Sequence, residues 1–176
     1  MNSTRLAIEA LSLQLHSELT PLGGAPDAQL QLLVATLSRT FNVDLNEVAI
    51  YRLDEERGVL RFLWPEKLKH IGSIPLSSFD SLAARTAREG VVLLENSFAS
   101  QRHANVYEKI RLEPGVAASP KPIQKIISAP IFKDAVVRGV IQLSRKGDAN
   151  SQQTQDFTDA DGTALLALAG VFGQHF

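Results

Sequence analysis

An α+β domain is predicted by three features of this chain. The C-terminal third, Ile126–Phe176, reads as an apolar strand (IISAPIF), a tight reversal, a second apolar strand (VVRGVIQLS), a polar loop and a capped apolar helix (FTDADGTALLALAGVF). Earlier, Glu47–Leu53 and Val59–Trp64 are rich in β-branched or aromatic residues and flank a reversal at Asp54–Gly58. The N-terminal region instead repeats its apolar residues at helical spacing.

Taken in order, Thr4–Leu19 carries Ile8, Leu11, Leu15 and Leu19 on one helical stripe, which Leu13 widens. Pro21, Gly23, Gly24 and Pro26 break the chain. A second helix is expected from Asp27, as N-cap, to about Phe41, with Leu30, Leu33, Val34 and Leu37 on one face. After the two strands, Ile71–Pro75 reads as a brief edge strand. Phe79–Glu89 reads as a helix capped by Ser77 or Ser78 and stopped by Gly90, followed by a short buried strand at Val91–Leu94. Glu95–Lys125 is the least regular stretch, with one short helix at Val106–Leu112 and a run of Pro114, Gly115, Pro120 and Pro122. Strands at Gln124–Phe132 and Val136–Ser144 lead to the closing helix, whose N-terminus Thr158 and Asp161 are placed to cap.

Alternation in the last two strands assigns layers. Ile127, Ala129 and Ile131 share one face, with Ile126, Ser128 and Pro130 opposite; Val137, Ile141 and Leu143 share the next strand's face, with Val140 and Gln142 opposite. Both faces are largely apolar, so both should be covered. Pro130 cannot donate to a ladder, and a bulge is expected there. The closing helix is apolar nearly all round, more than packing on a sheet requires. A homodimer through Leu11, Leu15, Leu168 and Phe172 of the terminal helices is therefore expected; packing of those two helices within one chain is the alternative.

Composition excludes several chemistries. The 176 residues suffice for one domain with a sizeable core, and 44% hydrophobic with 21% charged residues is ordinary for a globular chain. A net charge of -1 argues against a nucleic-acid partner, and the basic stretch Arg102–Lys125 reads as a solvated face. With no cysteine, disulfides, thiolate catalysis, cysteine zinc sites and thioether-linked chromophores are closed to it. No apolar run reaches membrane-spanning length, so no membrane partner is expected and the cytoplasm is the default location.

The order and spacing of EVAIYRLDEERGVLRFLW, SLAARTAREGVVLLENS, IISAPIF, RGVIQLS and FTDADGTALLALA resemble those of GAF domains, sensory and regulatory modules. The resemblance covers Asp27–Phe176, giving an N-terminal helical extension at 1–22 and a GAF domain at 23–176. It implies an antiparallel sheet whose first strand lies beside its last. Terminal helices should cover one face, and the irregular Pro65–Lys125 excursion should roof a small-molecule pocket on the other. Family members that attach bilins or reduce free methionine sulfoxide use cysteines, which this chain lacks. Cyclic-nucleotide-binding members carry an Asn-Lys…Phe…Asp-Glu pattern; Asp54-Glu55 is present here without a preceding Asn-Lys pair.

On this reading Ser128 and Gln142 form the pocket floor, and Phe62, Trp64, Ile74, Phe79, Asn96, His103 and Tyr107 contribute walls. The plainer alternative is that Phe62, Trp64, Phe79 and Tyr107 simply fill the core. His70 and His103 could form a proton-sensitive pair, but neither has a partner at metal-ligand spacing, so no metal or cofactor is expected. Ser97 and Ser100 near His103 lack the strained turn of a nucleophile. The expectation is a non-enzymatic sensor domain whose unidentified ligand alters terminal-helix packing in a dimer. The alternative is a dimerisation scaffold with a filled pocket.

Overall fold

A computed structural model describes residues 2–100, 121–148 and 155–176. Within these, four α-helices and six strands follow the order α1 (Asn2–Leu19), α2 (Pro26–Phe41), β1 (Val48–Asp54), β2 (Val59–Trp64), β3 (Ser73–Pro75), α3 (Leu82–Glu89), β4 (Leu93–Glu95), β5 (Ile123–Lys133), β6 (Val136–Lys146) and α4 (Asp159–Gly173). The strands form one antiparallel sheet in the order β3-β2-β1-β6-β5-β4, which places the first strand beside the last as expected. The expected helix at Val106–Leu112 lies outside the described residues.

Helix ends follow local chemistry, with two departures from the sequence reading. At α4, Thr158 Oγ1 accepts from Asp161 N (3.2 Å) while Asp161 Oδ2 accepts from Thr158 N (2.7 Å), the reciprocal cap foreseen. At α2, Pro26 rather than Asp27 opens the helix; its fixed φ and missing N–H suit the first helical position, and Asp27 falls in the first turn. At α3, Ser81 is the cap, accepting from Ala84 N (3.2 Å), so the helix starts three residues later than Phe79. Arg88 explains the delay: its guanidinium donates to the carbonyls of Leu76 and Ser78 and holds that stretch as a loop. Gly90 ends α3 at φ 64°, in the left-handed region that glycine adopts freely.

Two apolar layers sandwich the sheet. On one side α1, α2 and α4 cover Val48, Ile50, Ile127, Ala129, Ile131, Ile141 and Leu143. On the other, α3 and Leu68 close over Tyr51, Leu60, Phe62, Val140 and Ile74. Leu15, Leu168 and Phe172, named above for a dimer contact, are buried inside the chain's own helical core, and Leu11 is half-buried against it. Packing within one chain already occupies them. Leu13 does not widen that stripe either: it is 71% exposed, alongside Leu6 at 63%.

The end of α4 is locked onto the sheet by close backbone approach. A Cβ at Gly173 would collide with the Phe132 carbonyl; within the sheet, one at Gly139 would meet the Tyr51 carbonyl of the neighbouring strand and the Phe176 ring. Phe176 then packs over Gly139, edge-on to Phe172 (5.5 Å), with the Arg52 guanidinium 4.7 Å from its centroid.

Two register shifts correct the predicted faces. The bulge expected at Pro130 falls instead between Ile131 and Phe132; Pro130 itself stays paired with Val140. Past the shift Val137 pairs with Phe132, and both approach Gly90 at the end of α3, so Val137 does not share a face with Ile141 and Leu143. A second shift between Ile50 and Tyr51 pairs Ile50 with Trp64 and Tyr51 with Phe62, leaving Leu63 unmatched. Phe62 therefore points to the α3 side, while Trp64 packs against the helical core.

Candidate functional site

The α3 side of the sheet carries a buried polar chain in an otherwise apolar layer. Tyr51 Oη donates to Gln142 Oε1 (3.1 Å), Gln142 Nε2 donates to Ser128 Oγ (3.3 Å), and Thr86 Oγ1 donates to the same Ser128 Oγ (2.7 Å). Thr86 and Ser128 are wholly buried and Gln142 is 7% exposed. Each member comes from a different element, β1, β6, β5 and α3, and is brought there by strand alternation and by the buried stripe of α3. Buried polar groups persist only when hydrogen-bonded, and this chain satisfies its members through one another.

Tyr51 and Gln142 also line a cavity of about 80 Å³, walled by Phe62, Leu68 and Ile126 and rimmed by Ser144. A water takes about 30 Å³ of liquid volume, so the cavity has room for a few waters or the head of a small ligand. Gln142 has two amide hydrogens and one is spent on Ser128, which leaves a second donor at the floor. At the rim the Glu47 carboxylate accepts from Asp44 N (2.9 Å) and Lys146 N (2.6 Å), and Lys146 Nζ donates to Asn46 O (2.7 Å). Asn46 and Pro65 are shared with an outer groove of about 500 Å³. Trp64 lines that groove, its indole fixed by Nε1 donating to Leu45 O (3.0 Å).

Of the residues predicted for a pocket, Ser128, Gln142 and Phe62 meet on this face, with Ile74 buried in the same cluster. Three others do not join them. Trp64 is turned to the other side by the bulge at Leu63. Phe79 is 89% exposed on the loop held by Arg88, whose guanidinium lies 5.4 Å from its ring. Asn96 is spent on structure: its amide donates to Phe157 O (2.9 Å) and accepts from Phe157 N (2.9 Å), pinning the chain before α4. His103 and Tyr107 lie outside the described residues.

Sequence reasoning missed Tyr51 and Thr86. Tyr51 is in phase with Ala49 and Leu53 along β1, and Thr86 interrupts the small apolar face of α3 in step with Ala83. Those two periodicities were the available signals. His70 and Ser97 are exposed, and among the described residues no cluster of three or more His, Asp or Glu is arranged to hold a metal. Among them too, no helix is long and apolar enough to cross a membrane.

No protein-family model matches the chain, and no curated protein matches it by sequence. Solved structures do match. The GAF domain of an Acinetobacter phosphoenolpyruvate-protein phosphotransferase is 17% identical with TM-score 0.65, covering 93% of this chain and 91% of that one. Residues 122 to 287 of a methyl-accepting chemotaxis protein are 16% identical with TM-score 0.67, covering 92% and 93%. The free methionine-R-sulfoxide reductase of Neisseria meningitidis, solved with its substrate, is 17% identical with TM-score 0.67, covering 96% and 87%.

The last match corrects one expectation. Further reductases of the same kind are among the similar structures, so enzymes share this fold, and the expectation of a non-enzymatic domain is overturned as a conclusion from fold. Sheet order, helical cover and these matches agree on the architecture: the chain has the GAF fold.

Proposed function

We propose that this chain is a small-molecule-sensing regulatory domain whose ligand enters the cavity over Tyr51 and Gln142, from which the polar chain runs on to the buried Ser128. The observation that carries the reading is the polar chain itself, placed where an apolar layer would pack more simply. Signalling proteins among the similar structures support a regulatory role. The coupling runs through the strands. Ser128 and Gln142 alternate with Ile127, Ala129, Ile141 and Leu143, which lie in the core under the terminal helices. A ligand that draws Gln142 forward shifts β6 and with it the seat of α4, biasing two packings of the helical layer.

A thermal-shift screen with nucleotides, 2-oxoacids and amino acids tests this. A true ligand at about 100 times its Kd adds about 2.7 kcal/mol. Gln142→Leu should abolish that gain. A folded sample that no compound stabilises would count against sensing.

One observation favours a second reading, a dimerisation scaffold. Leu6 and Leu13 lie seven residues apart on the exposed face of α1. Mass measurement in solution decides: Leu13→Asp should convert a dimer to a monomer, and a monomeric wild-type chain ends this reading.

A further inference from the structure

Away from the cavity, α1, α2 and the turn after α4 meet at two histidines. His175 follows α4, and its ring centroid lies 5.7 Å from that of His16 in the last turn of α1. Gln29 of α2, 6% exposed, donates its Nε2 to His175 Nδ1 (3.2 Å) and to Leu19 O at the end of α1 (3.4 Å). One amide thus ties all three elements. His175 Nε2 is buried and has no hydrogen-bond partner among the described residues.

We infer that His175, with His16 and Gln29, forms a proton-operated latch that holds α1 against the helical layer at neutral pH and releases it on acidification. The geometry gives the direction. A neutral His175 can accept from Gln29 at Nδ1, which places its one hydrogen on Nε2. Protonation puts a hydrogen on Nδ1 as well, so two donors face each other and the Gln29 bond is lost. The cation would also be buried at Nε2 without an acceptor, and would face His16.

Among the described residues, the side chains that contact it bring no negative charge. From α1 comes His16, from α2 the neutral Gln29, and from β5 Lys133, whose ammonium donates to Phe176 O one residue away (2.6 Å); Arg52 of β1 stacks on the Phe176 ring. Burial, and then the charge of His16, hold the His175 imidazole below its ordinary value of 6.5. The packed state therefore binds fewer protons than the released one. Its stabilisation is complete above the ordinary imidazole value and is lost as pH falls through the lowered one.

Hydrogen exchange on the whole chain at pH 7.5 and 5.5, corrected for intrinsic rates, tests the latch. Opening of α1 amides should rise on the order of tenfold for each unit by which the two states differ in proton affinity. Amides of α3, on the other side of the sheet, should not respond. His175→Gln keeps a polar side chain without the titration and should abolish the α1 response; His16→Asn should weaken it. An unchanged α1 in the wild-type chain overturns the proposal, as does a His175→Gln variant that responds like wild type. Should that variant not fold, NMR titration of wild-type His175 decides: titration at the ordinary value overturns the latch, and titration below it supports it.

Discussion

The two sides of the sheet solve the burial problem in opposite ways. The side under α1, α2 and α4 meets the sheet with an interlocked aliphatic layer: Leu33, Leu37, Ile127, Ile131, Leu143, Leu165 and Leu168 are all buried to within 2%. The side under α3 spends four polar groups on one another and leaves a cavity beside them. Hydrophobic transfer rewards the first arrangement directly. The second gains only the small net worth of satisfied hydrogen bonds and keeps a high penalty for breaking any one of them. A protein built for stability alone would repeat the first on both faces. The difference is what singles out the α3 side as the proposed ligand-binding one.

Large-to-small substitutions should sharpen that contrast most. Leu168→Ala on the helical side is expected to cost about 2–5 kcal/mol in chemical denaturation, with the denaturant slope unchanged. Ala substitution of Leu68, which borders the cavity, should cost clearly less, because a void already adjoins it. Equal costs would break the comparison.

Gly139→Ala comes next, at about 1–3 kcal/mol, since the new methyl meets the Tyr51 carbonyl in the β1–β6 pairing and the Phe176 ring. Loss of protection in β1 amides by hydrogen exchange should accompany it.

The polar chain makes a sharper claim. Thr86→Val should cost about 1–3 kcal/mol, since Ser128 loses its donor from α3 in a wholly buried position. Combined with Ser128→Ala the total should rise by less than the sum of the single costs, because the α3–β5 contact becomes apolar on both sides; the loss of an acceptor by Gln142 Nε2 is common to Ser128→Ala alone and to the pair. A double-mutant cycle that closes with no coupling would show that Thr86 and Ser128 do not act as a unit.

The smallest effect lies at the β1–β2 hairpin, outside both layers. Burial acts to raise the Asp54 carboxyl, but the hydrogen bond from Arg61 (3.0 Å), the Arg57 backbone N–H and both guanidinium charges outweigh it and hold the group below its ordinary value of 3.8. That contribution is present above the ordinary carboxylate value and is lost as pH falls through the lowered one. Arg61→Gln should move the Asp54 titration back upward by NMR while leaving neutral-pH stability nearly unchanged.

How far the site could be read before any coordinates depended on the kind of signal each residue carries. Ser128 and Gln142 stood out because each is a polar residue at an alternating position between apolar neighbours, and alternation survives wherever pairing is regular. Trp64 was misplaced because a bulge adds one residue to β2, and nothing local in VLRFLW announces it. Asn96 looked equally available for a ligand, yet it reaches Phe157, a partner 61 residues away. Phe79 reads as a buried aromatic until Arg88 is seen holding its loop outward.

From sequence alone came much of what short-range periodicity and backbone chemistry govern: the α+β class, the order of the described strands and helices, the Thr158–Asp161 cap, the left-handed stop at Gly90 and two covered sheet faces. Tertiary structure alone decided which way the side chains past each bulge turn, that Leu15, Leu168 and Phe172 are consumed within one chain, and that Tyr51 and Thr86 complete a polar chain across four elements. The physical reason is range. Caps and alternation depend on neighbours a few bonds away, whereas register shifts and hydrogen-bond partners are settled by the competition of distant segments for the same space.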